Sequence, residues 1–216
     1  MPSSPLLRRL VLFGTPLSLS LLELTHPTDP ATAPAHADWW LILHMLTFVL
    51  FPLMALAVFL LLDGAGGRAA WLSRRAMLVY AVVYSGYIGM DGLAGGVLLQ
   101  QANGLPAAQQ ADLMRAILGM FNSPVGIAIA IAGTLAWIVG NIAMAVALFH
   151  AGARRAPLVL LAIGSCVLLG DHPVPAGPIA FGAFLIAVVW IELGQRPALV
   201  TGTQPKQASQ VGRSAT

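Results

Sequence analysis

Charge is what this chain has least of. Only 9% of its 216 residues are Asp, Glu, Lys or Arg, against about 25% in an ordinary soluble domain. That share excludes a surface facing water on all sides. Cysteine is nearly absent. Cys166 stands alone, which excludes an intrachain disulfide and any CxxC redox or zinc pattern; a single thiol in an apolar run reads as packing. Familiar catalytic signatures are missing as well. There is no GxSxG elbow, no SxxK, no HExxH and no glycine-rich phosphate loop, and Gly64, Gly66 and Gly67 read as a turn. The formal charge is +3 and the pI about 9.6, but aromatics do not interleave with the basic residues, so no nucleic-acid surface is expected. No repeat of 20–50 residues appears.

What the chain has in excess is apolar length. Fifty-eight per cent of its residues are hydrophobic, in several runs of the ~20 residues needed to cross a bilayer core. The reading is all-α: a polytopic membrane helix bundle of six transmembrane helices, plus a short interfacial amphipathic helix. The spans fall at about 8–25, 38–62, 76–101, 124–150, 157–170 and 176–194. The first run reads as a retained helix and not a cleaved signal. Its small-x-small sites, Ala33-Pro34-Ala35 and Ala35-His36-Ala37, lie too far beyond the apolar stretch. Trp39 and Trp40 open the second span, where indoles favour the membrane interface, and Pro52 interrupts it. Residues 63–75 read as a loop. Leu113, Met114, Ile117, Leu118 and Phe121 recur at helical spacing between the third and fourth spans, so an amphipathic helix is expected there, lying on the membrane or capping the bundle. Asn122 or Ser123 should cap the fourth span. Residues 196–216 read as a disordered cytoplasmic tail.

Basic residues orient these spans. With an even number of crossings and the N-terminus in the cytoplasm, Arg8, Arg9, Arg68, Arg74, Arg75, Arg154, Arg155, Arg196, Lys206 and Arg213 all fall on the cytoplasmic side. Only Arg115 lies outside. This distribution predicts a protein of the cytoplasmic membrane with both termini inside.

The third span is the one around which the others are organised, because it carries Asp91. A charged carboxylate at the centre of a spanning helix costs about 2.5–3.5 kcal/mol on insertion scales and faces the bundle interior. Tyr80, Tyr84, Tyr87 and Asp91 share one helical stripe. Ser85, Gly89, Gly92 and Gly96 form a second, suited to close approach of another helix, either within the chain, in a homo-oligomer or in a membrane partner. Orientation places Glu23, His26, His36, His44, Asp171 and His172 toward the outer end. The resulting candidate is an outward-facing pocket for a small ligand or ion, built from Asp91, His44, Tyr84, Tyr87, Glu23 and Asn141.

Two other readings stand beside it. One is a non-catalytic membrane subunit docking through the glycine stripe. The other is a membrane metalloenzyme, with His26, His44 and His172 as donors if any metal binds. No cofactor follows from the residues, and an enzyme is the less favoured class. Structural explanations compete at each position. His26 and His172 follow helix C-termini, where the dipole favours a partly positive ring; the tyrosines suit packing, and His44 suits a bond between helices. Asp91 could be answered by a tyrosine or by Asn141, and His150 and Glu192 should be solvated at the cytoplasmic surface.

Overall fold

The computed structural model describes residues 4–28, 32–169 and 175–194. All regular structure among them is helical, in seven helices. They are α1 (Pro5–Glu23), α2 (Ala33–Leu61) and α3 (Gly67–Asn103), then α4 (Ala107–Phe121), α5 (Pro124–His150), α6 (Arg155–Cys166) and α7 (Ala176–Gly194). Five of them, α1, α2, α3, α5 and α7, are long and apolar enough to cross a membrane. Their outward faces are apolar too: Leu21, Met45, Val82, Ile131 and Ile186 are each more than half exposed. A water-facing surface would not carry so continuous an apolar cover, and a lipid-facing one requires it.

Apart from α4, each helix packs on the next in the chain, and α7 closes on α1, so α1, α2, α3, α5, α6 and α7 form a ring. Two ends can be told apart by chemistry. At the arginine end, Arg8 of α1 pairs with Glu192 of α7 at 2.8 Å and donates to the Leu60 carbonyl of α2 at 2.9 Å. Arg74 donates to the carbonyls of Leu62 (2.7 Å) and Ala65 (3.1 Å) just beyond α2, where a cation suits the helix C-terminus. At the opposite end α4 lies across the bundle. We call this the lid end.

The α3–α5 pair has the most extensive contact, and its glycines explain why. Gly126, Gly133 and Gly140 recur every seven residues along α5. A Cβ at these positions would come within 2.9 Å of Met90, 2.7 Å of Tyr84 and 2.5 Å of Met77, respectively. Missing side chains thus let α3 seat its own into α5, and they fix the antiparallel register of the pair.

Several sequence-based expectations need correction. Residues 67–75 are not loop: α3 starts at Gly67, whose φ of 87° marks the turn, and Arg68, Arg74 and Arg75 ride on its first turns. The helix is then 37 residues long, about 55 Å. That exceeds a ~30 Å hydrocarbon core, and its first turns carry interfacial chemistry, with the Arg75 guanidinium 5.7 Å from the Trp71 ring. The span expected at 157–170 is an α-helix of 12 residues, Arg155–Cys166, followed by a 3-10 turn at Val167–Leu169. By length alone it falls short of a crossing. Glu192 is not solvated, since Arg8 takes it. The proposed tail, 196–216, lies outside the described residues.

Candidate functional site

The third helix changes its winding where its chemistry is. From Gly89 to Ala94 the turn widens to a π-helix, a feature that occurs mostly as single turns and often at functional positions. Asp91 sits in this turn, 5% exposed. Glycines flank it and remove the Cβ atoms that would block its neighbours. A Cβ on Gly92 would lie 2.1 Å from the His44 ring, one on Gly96 3.1 Å from Trp40, and one on Gly95 2.7 Å from Phe121. The Gly92 carbonyl accepts the Trp40 indole N–H at 3.2 Å. Thus α2 is laid directly against the backbone of the wide turn.

This arrangement answers the glycine stripe. Gly92 and Gly96 are covered by α2 of the same chain, so at these two positions the stripe is not available to a partner.

On α2, Trp40 and His44 stack with ring centroids 4.7 Å apart. His26, three residues beyond α1, sets its ring edge-on to both, at 5.1 Å from each. Its position is fixed from behind: the Trp39 indole donates to the Thr25 carbonyl at 2.9 Å. The His26 Nδ1 faces the Pro27 carbonyl at 2.8 Å, and the His44 Nδ1 faces the Trp40 carbonyl at 2.7 Å. A carbonyl only accepts, so both rings donate through Nδ1. In the neutral ring His44 Nε2 is then a buried acceptor, and it has no hydrogen bond among the described residues.

Beside this cluster lies a cavity of about 430 Å3. Asp91 and Tyr87 of α3 form one wall, His26 and Trp40 another, and Gly126, Ile127, Ala130 and Ile131 of α5 a third. Its roof is α4, through Met114, Ile117, Leu118 and Phe121. Ile117 is fully buried and packs with Ala33, Ala37, Trp40 and Leu99, whereas Asp112 and Arg115 pair on the exposed face. The amphipathic pattern therefore caps the bundle. Ser123 caps α5, accepting the Gly126 N–H at 3.0 Å.

Below the cavity the bundle closes with aromatic rings. Phe51 meets Tyr84 edge-on at 4.8 Å and Phe181 at 5.9 Å; Trp137 meets Tyr80 at 5.2 Å and Phe181 at 5.8 Å.

The six candidates separate accordingly. Asp91 and Tyr87 line the cavity. His44 stands one ring behind it, against Trp40 and His26. Tyr84 belongs to the aromatic plug, 5% exposed. Glu23 is fully buried at the end of α1, within electrostatic range of Tyr80 and Tyr84. Asn141 does not join them. The α3–α5 register sets it level with Met77 and Ser73, some 15 residues and about 22 Å along the axis from Asp91. Its amide donates to the Trp137 carbonyl of its own helix at 2.9 Å. Asn141 is therefore not what answers Asp91. Among the described residues no three His, Cys, Asp or Glu side chains converge as a metal site, and His172 lies outside those residues.

Trp40, Phe121 and Gly126 were not singled out from sequence as site residues. The heptad of α5 glycines was the signal that would have found the third wall.

No protein family matches this chain, and no curated protein or solved structure resembles it closely enough to count as a match.

Proposed function

We propose that this is a six-crossing protein of the cytoplasmic membrane that binds a small molecule in the cavity beside Asp91, reached from the exterior past α4. The sixth crossing is supported by direction. Arg8–Glu192 joins α1 and α7 at one end, and Ser20 donates to the Pro178 carbonyl at 3.0 Å toward the other. So α7 starts at the lid end and α5 ends at the arginine end. A return between those two ends, begun by α6, supports a sixth crossing. The gathering of arginines at one end supports reading that end as the cytoplasmic one.

One observation carries the ligand reading: a carboxylate in a π turn forms the wall of a roofed, largely apolar cavity. Pockets of 300–1,000 Å3 with a few convergent polar groups are the usual form of small-molecule sites. The aromatic plug beneath favours binding at this site over an open passage. Docking of a partner through the glycine stripe has less support, since α2 fills its lid-end half.

The test is a small-molecule screen by thermal denaturation of the purified protein in lipid nanodiscs. Compounds that stabilise the wild type should lose that effect in Ala130→Trp, which fills the cavity, and those that engage the carboxylate should lose most of it in Asp91→Asn, which should still express and fold. Compounds that stabilise all three proteins equally would count against the site.

A further inference from the structure

The cavity's wall also specifies charge. Among the described residues it contains one carboxylate, Asp91, and no lysine or arginine. Arg115, on the roof helix, points to the exposed side and pairs with Asp112. The remaining polarity is two-faced groups: the His26 imidazole and the Tyr87, Thr28 and Asn122 side chains. Three of the wall residues present aromatic rings. Trp40 and Phe121 lie almost parallel, 4° apart in plane with centroids 6.4 Å from one another, and Tyr87 stands on the helix that carries Asp91.

Ring faces are the negative pole of an aromatic quadrupole. Together with a carboxylate in a desolvated pocket they attract cations, and such contacts strengthen as water is excluded. An anionic ligand would meet the Asp91 carboxylate with no guanidinium or ammonium among the described wall residues to offset it.

Resting on the reading of this cavity as a ligand site, we propose that it takes a small organic monocation, a protonated amine carrying an apolar or aromatic body. The ammonium lies toward Asp91, and the body lies against Trp40, Phe121 and the α5 wall. His26 is the polar neighbour on the far side of the cavity mouth.

Three probes of nearly one shape separate the alternatives: 2-phenylethylamine, 2-phenylethanol and phenylacetate. They share the ring and differ in charge: positive, neutral and negative. Binding is read at pH 8 from tryptophan fluorescence and thermal denaturation of the full-length protein in zwitterionic nanodiscs, with Ala130→Trp as the blocked-cavity control for partition into lipid. The amine should bind at least about tenfold more tightly than the alcohol, a difference of about 1.4 kcal/mol, and phenylacetate should not bind. In Asp91→Asn the advantage of the amine should shrink to less than about twofold by loss of this charge contact, while the alcohol still binds and shows that the variant is folded. Phe121→Leu, which keeps apolar bulk and removes a ring face, should weaken the amine alone. Alcohol or phenylacetate binding as tightly as the amine would overturn the cation assignment and leave the cavity as a ligand site. Silence from all three probes would overturn both.

Discussion

The two ends of this bundle are made of different materials. The lid end is stiff and hollow. Its frame is His26, Trp40, His44 and Phe121, rings with few rotatable bonds, held against a glycine-lined π turn. The interior of the arginine end is filled and adjustable, and the groove of about 320 Å3 there lies on the outside, between α5 and α6 along Ile142, Phe149 and Arg155. Met77, Met144, Leu60, Leu61 and Leu148 are all buried in that interior among small residues, and flexible thioethers and aliphatics fill whatever space the helices leave. Stiff rings hold the α2 side of the cavity open beneath a roof that adds Met114 and Leu118, whereas at the arginine end methionines and leucines fill the centre of the bundle. One helix, α3, passes through both regimes: it seats Met77 into α5 at one end and turns its own backbone outward around Asp91 at the other.

The largest effect should come from testing that stiffness directly. In Gly92→Ala the new methyl would meet the Cδ2, Cγ and Cβ of His44 at 2.1–2.5 Å. That ring is stacked and bonded, and can yield only if α2 moves. Overpacking of this kind costs about 3 kcal/mol, near the upper end for a single added carbon. Gly140→Ala at the other end meets the Met77 sulfur at 2.5 Å, and a thioether can rotate aside, so about 1 kcal/mol is expected. Gly86, with nothing within 4 Å of its Cβ, is the control, and Gly86→Ala should be neutral or slightly stabilising. Denaturation midpoints in detergent would rank the three. Equal losses at Gly92 and Gly140 would erase the distinction between a stiff and an adjustable end.

How much of this was legible in the residues depends on what was asked. The face of each helix was readable, because spacing along one helix is local. Tyr80, Tyr84, Tyr87 and Asp91 do share a stripe, and the apolar positions of α4 do point one way. Depth across helices was not readable from polarity. Asn141 reads together with Asp91 because both are polar residues in apolar runs, yet the register between their helices is set by glycines spaced at seven. The start of α3 was hidden for another reason. Three arginines in nine residues look like a loop, but arginine is a good helix former, and at the end of a spanning helix its charge reaches the interface. The stripe of Ser85, Gly89, Gly92 and Gly96 announced close packing without saying that α2 would supply the neighbour. The π turn had no sequence signal beyond its glycines.

A smaller effect concerns the clamp at the arginine end. Arg8→Gln removes the pair to Glu192 and the bond to the Leu60 carbonyl. Both partners are only partly exposed, at 19% and 12% of the side chain, so the loss should exceed that of a surface pair yet fall short of a fully buried one, about 1–2 kcal/mol. Combining it with Glu192→Gln in a double-mutant cycle should return a coupling of about 1 kcal/mol. Binding at the lid end should not change. If the clamp variants weakened ligand binding as much as they weakened stability, the ends could not be treated as separate materials.

The smallest expected effect is at Asn141, and it is the most direct probe of how polarity relates to site. The side chain is fully buried. Its amide bonds to its own helix, and its Oδ1 has no hydrogen bond among the described residues. An isolated buried carbonyl oxygen is a cost that an apolar side chain of similar size avoids. Asn141→Leu should therefore leave stability within about 1 kcal/mol of the wild type, on either side. Ligand affinity should shift by less than about twofold, because roughly 22 Å of helix separates it from Asp91. Suppose instead that binding collapsed while the fold held. Then the polar groups would act as one column through the aromatic plug, by way of Tyr84 and Tyr80. The arginine end would be part of the site, and the cavity only its mouth.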